Sequence, residues 1–133
     1  MDITKFCKEL EHEIQAAYES QVTIPEAEKL AAKFLHAQML LAEKLKRVDL
    51  DARMRKSGVK ALRAAVYLEE VKKSDKKPSD VMLEAIINSS SMVQSQQDEL
   101  DAAEVERDEL RSFMDIFNNA HIFFRGISKG KFE

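Results

Sequence analysis

The sequence predicts an all-α protein of long amphipathic helices, arranged as a helical hairpin or coiled-coil-like bundle. Three observations point there. In 133 residues there are 3 Gly and 2 Pro, so few positions break a helix. Ala, Leu, Glu, Lys and Gln, the strong helix formers, dominate the rest. Apolar residues recur at steps of three and four through two long segments, which is the periodicity of one helix face. The length fits one domain, and we expect a single helical domain over residues 1–133. Slender helices bury limited apolar surface, so the expected bundle is elongated and completed by oligomerisation.

A first helix is expected over residues 3–20, capped by Asp2, with Phe6, Leu10, Ile14, Ala17 and Tyr18 at helical spacing. After Gln21–Ile24, Thr23 can cap a second helix, and Pro25 suits its first turn because the missing amide donor is not needed there. That helix should run to about residue 73. Ala27, Leu30, Phe34, Ala37, Leu41, Leu45, Val48, Ala52, Arg55, Val59, Leu62 and Val66 form a heptad seam along it. One extra four-residue step, from Leu41 to Leu45, makes a stutter. Ser57–Gly58 is the weak point at which the helix would bend, since Gly costs about 1 kcal/mol relative to Ala in a helix interior. A lysine-rich linker ends at Pro78, and Ser79 caps a short helix over residues 80–88. The turn formers Asn88–Ser91 stop it. A last helix over residues 92–125 carries the seam Val93, Gln96, Leu100, Ala103, Arg107, Leu110, Met114, Phe117, His121, Phe124. Gly126 is placed to close it, leaving a flexible tail over 127–133.

Catalysis is not expected. The sequence has no phosphate-binding glycine loop, no Gly-x-Ser-x-Gly elbow and no His-Glu-x-x-His. Cys7, the lone cysteine, shares a helix side with Ile3, Leu10 and Ile14 and reads as an apolar position; one thiol without a disulfide partner fits a reducing compartment. His12, His36 and His121 are too scattered for a metal site, so neither metal nor cofactor is expected. The first four residues lack the basic-then-apolar layout of a signal peptide, and no apolar run approaches the ~18 residues of a membrane span. A cytoplasmic location follows as the expectation.

The net charge of −3 conceals a segregation. Residues 1–43 carry 4 Lys against 8 acids, residues 44–77 carry 12 Lys or Arg against 5 acids, and residues 78–133 carry 5 against 11. Two readings of the basic middle stay open at this point. It can pair with the acidic cluster over 98–109 when the helices fold back, setting register. Alternatively, Lys44, Lys46, Arg47, Arg53, Arg55, Lys56, Lys60 and Arg63 present a polyanion-binding strip, with Tyr67 one turn on as a stacking surface for an exposed base. Near the C-terminus, Phe113, Phe117, Phe123 and Phe124 spread apolar surface over a wide arc that must be covered on several sides. Leu100, Leu110, Met114, Phe117 and Phe124 are the expected oligomer interface.

The order of these features resembles the UvsY-type recombination mediator proteins of tailed phages. The resemblance covers roughly residues 40–126. It rests on the basic stretch Lys60-Ala61-Leu62-Arg63-Ala64-Ala65-Val66-Tyr67-Leu68, a lysine-rich turn with Pro78-Ser79, and a C-terminal helix ending in Phe123-Phe124-Arg125-Gly126. It implies a cytoplasmic homo-oligomer that binds single-stranded DNA and helps load a recombinase onto strands held by single-strand-binding protein. Lys60 and Arg63 then match the family's basic segment, with Tyr67 following. The acidity of both flanks departs from a simple DNA binder. It keeps a second expectation alive, a structural or protein-interaction module without nucleic-acid activity, such as a phage factor binding a host protein.

Overall fold

A computed structural model describes residues 2–73 and 75–130. It contains four helices, α1 (Ile3–Tyr18), α2 (Ile24–Lys73), α3 (Asp80–Ser89) and α4 (Ser91–Ser128), and no strand among the described residues. The fold is all-α, with α2 and α4 paired as a helical hairpin. The chain divides into two compact units, Met1–Arg47 with Asp108–Glu133, and Val48–Arg107.

The first unit is built on α1, the early part of α2 and the late part of α4. The Asp2 carboxylate accepts from the amides of Thr4 (3.1 Å) and Lys5 (3.3 Å), satisfying donors that a helix start leaves open. Cys7, Leu10 and Ile14 then fall on one side and are buried. Thr23 Oγ accepts from the Glu26 amide at 3.3 Å and starts α2. The inward positions Ala27, Ala31, Phe34, Ala37 and Leu41 are buried. Phe34 lies between two rings of α4, its centroid 6.3 Å from Phe117 and 5.8 Å from Phe124, both in stacked orientation. Tyr18 of α1 covers Phe124 at 5.7 Å. Phe117 and Phe124 of the C-terminal arc are therefore covered by α1 and α2 of the same chain, while Phe123 stays partly open.

Helix α4 does not close at Gly126. Phe117, Ala120, Phe124 and Ile127 keep the inward spacing past that glycine, Gly126 is itself buried, and the helix runs to Ser128. The terminating glycine is Gly130, whose φ of 72° is left-handed backbone that an L side chain resists. Its amide donates to the Ile127 carbonyl at 2.9 Å. The expected flexible tail thus begins with ordered helix and turn, and its last three residues lie outside the described residues.

The second unit combines the later part of α2, α3 and the start of α4. Ser79 Oγ accepts from the Met82 amide at 3.2 Å and orients α3, which buries Leu83 and Ile87. Ser90 separates α3 from α4 and its hydroxyl accepts from Val93 N at 3.4 Å. Val48, Ala52 and Val59 of α2, with Val93, Leu100 and Ala103 of α4, complete the core. The helix continues through Ser57–Gly58 without a break. A Cβ at Gly58 would meet only Gln96 Oε1, at 3.8 Å, an ordinary contact distance. Gly58→Ala should therefore stabilise the protein by about 0.5–1 kcal/mol, through the lower backbone entropy of the unfolded chain. A rise in the urea midpoint checks this, and a fall would mean that the glycine has a packing role.

Candidate nucleic-acid interface

The predicted basic residues divide between the units, and each group is described where it sits. In the first unit Lys44 is half-buried and Lys46 exposed. Arg47 lies 3.8 Å from Glu43, four residues back, with both side chains largely in solvent.

In the second unit the residues sort by helix side. Arg55, on the inward seam, donates through Nε to Asp51 (3.0 Å) and through a terminal nitrogen to Glu99 of α4 (2.9 Å). Asp51, then Glu99, hold its guanidinium even more firmly protonated than usual. Arg63 is half-buried and donates to Glu84 (2.7 Å) and to Asn88 (3.1 Å) on α3. Both arginines are engaged across helices, Arg55 by the acidic cluster and Arg63 by α3. Pairing with the neighbouring helices thus explains these two residues.

It does not explain Arg53, Lys56 and Lys60. These stand at i, i+3 and i+7 on α2, on one side of the helix, and all three are exposed. Arg53 pairs with Asp49 of its own helix at 3.0 Å, an exposed i,i+4 contact worth only about 0.3–0.5 kcal/mol. An incoming phosphate could displace it at little cost. No ion pair involves Lys56 or Lys60 among the described residues. Tyr67 falls seven residues after Lys60 on the same line and is half-buried.

Beside this basic row runs a second apolar row, on the side of α2 opposite the core. Leu50, Met54, Ser57, Ala61, Ala64 and Leu68 follow at steps of 4, 3, 4, 3 and 4. Leu50, Met54 and Leu68 are 58%, 66% and 56% exposed, so the described residues leave them largely open. The inward seam of α2 draws attention in the sequence and this outward row was missed, although the same spacing identifies it. The predicted interface residues behave the other way. Leu100, Leu110, Phe117 and Phe124 are buried within the chain, and Met114 is half-buried.

Cys7 is buried, and burial, helped by the charge of Glu109, pushes its thiol up to about 11. No group of three or more potential metal ligands occurs among the described residues, and none of the described helices is long and apolar enough to cross a membrane. Comparison with protein-family models, with curated proteins and with solved structures finds no match.

Proposed function

We propose that the chain is a non-enzymatic accessory protein that binds single-stranded DNA along α2 of the second unit, acting in recombination by assisting recombinase loading. One observation carries the reading. Arg53, Lys56 and Lys60 form an exposed row that no acidic residue of α3 or α4 pairs with, while Arg55 and Arg63 are held by those helices. Three cations on one helix side suit a flexible strand that can follow them, and the half-buried Tyr67 at the end of the line is an aromatic on which a base can stack. The assignment to recombination comes from the resemblance to UvsY-type mediators. Self-association belongs to the same reading, because three contacts bind weakly and several copies on one strand raise avidity without new contacts.

Fluorescence anisotropy with a labelled single-stranded oligonucleotide tests the reading. Neutralising three phosphates on a single strand gives a log–log salt slope of about −2, so affinity should fall about 20-fold between 50 and 200 mM salt. Lys56→Gln with Lys60→Gln should bring the slope to roughly −0.7. Absence of binding at low salt removes the proposal. A second reading, a protein-interaction module, is favoured by the exposed Leu50–Leu68 row, which a nucleic acid has no means of covering.

A further inference from the structure

We infer that the outward row of α2 is a docking surface for an acidic amphipathic helix of another protein, and that such a helix competes with a single strand for Arg53 and Lys60. The competition rests on the nucleic-acid reading above; the docking does not. Leu50, Met54 and Leu68 are more than half exposed, and their heptad steps give a straight stripe on which another helix lies along its length. Ser57, Ala61 and Ala64 in the middle leave a shallow saddle between larger ends, room for the leucines or methionines of an incoming helix.

The borders of the stripe state the partner's chemistry. Arg53, Lys56 and Lys60 each precede a row residue, Met54, Ser57 and Ala61, as does Asp49, which pairs with Arg53, so that border keeps a net positive charge. Asp51, Arg55 and Glu69 each follow one, Leu50, Met54 and Leu68, and on that border Asp51 is tied to Arg55 and Glu69 to Lys73. A helix with acidic residues along one flank of its apolar face meets Arg53 and Lys60 without meeting Asp51 or Glu69. A second copy of this chain laid antiparallel fits less well, because Lys60 would face Lys60 of its twin, and like charges at flanking positions oppose pairing.

A strand and an acidic helix present the same anionic chemistry to Arg53 and Lys60, so the two ligands exclude each other. Arrival of the helix would release the strand, which makes the row a hand-off device.

The probe is a 21-residue synthetic helix with leucine at heptad a and d positions, glutamate along one flank and glutamine along the other. Its twin carries lysine in place of glutamate. With the full chain, the glutamate peptide should bind at least tenfold more tightly than the lysine peptide. Leu50→Gln with Met54→Gln, both at exposed positions, should weaken it at least tenfold while leaving oligonucleotide affinity within twofold and the circular dichroism unchanged. The glutamate peptide should also displace labelled oligonucleotide. No binding of the glutamate peptide, or equal binding of the two, overturns the docking. So does conversion of a sedimenting dimer to monomer by the Leu50/Met54 variant, which assigns the row to a second copy. Peptide binding without oligonucleotide binding leaves the docking standing and removes the nucleic-acid reading alone. Simultaneous binding of both ligands removes the competition.

Discussion

Phe117→Ala is expected to cost about 3–5 kcal/mol of stability and to lower the melting temperature by roughly 10–20 °C. Phe117 has no exposed surface, and its ring stacks with Phe34 at 6.3 Å and with Phe113 at 6.1 Å. Its removal takes away a whole buried side chain and leaves a cavity between α2 and α4 that rigid helix backbones cannot close. Each aromatic pair adds about 0.5–1.5 kcal/mol beyond area. Phe123 makes an informative contrast. It is 37% exposed and meets Tyr18 edge-on at 4.9 Å, so Phe123→Ala should cost about 1 kcal/mol. Thermal denaturation followed by circular dichroism reads both. Equal losses would show that Phe117 does not anchor the first unit.

The second large effect concerns Cys7. Thiol reagents attack the thiolate, and burial, with the charge of Glu109 adding to it, moves the group from 9.0 to about 11. At pH 8 the folded chain should react with a disulfide reagent at least about 100-fold more slowly than the chain in denaturant, from the thiolate fraction alone. Exclusion of the reagent from a fully buried sulfur slows it further. The sign of the linkage follows from the direction of the shift. A group held protonated by the fold contributes its full stability below its unfolded value, and that contribution is lost as pH rises through the folded value. Stability should therefore fall between about pH 9 and 11, and Cys7→Ala should remove part of that fall. A native thiol that reacts at the denatured rate would contradict its placement in the core.

Most of the helical architecture can be read from the sequence because its signals are local. Asp2, Thr23 and Ser79 each have a side-chain oxygen one residue before a helix or its first turn, and each accepts an amide of that turn. The inward face of α2 follows from spacing as well, since Ala27, Phe34, Ala37, Leu41, Val48, Ala52 and Val59 are all buried. What resists reading is whatever depends on a partner far along the chain. Gly126 and Gly130 are equally plausible helix ends until α1 and α2 are seen to keep α4 apolar as far as Ile127. Phe117 and Phe124 read as outward apolar surface until Phe34 and Tyr18 are seen to pack on them. Charge shows the same limit. Arg55 and Lys56 are adjacent and alike in sequence, yet Glu99, 44 residues away, engages one of them.

The half-buried His121 is fixed in one tautomer by the helix it faces. Its Nδ1 lies 2.9 Å from the carbonyl oxygen of Ala31. A carbonyl oxygen only accepts, so Nδ1 carries the hydrogen and the neutral ring is the Nδ1–H tautomer, with its lone pair on Nε2. The same bond ties α4 to α2 and leaves Nε2 as the one ring nitrogen able to accept. Nitrogen chemical shifts of the ring would identify the tautomer directly.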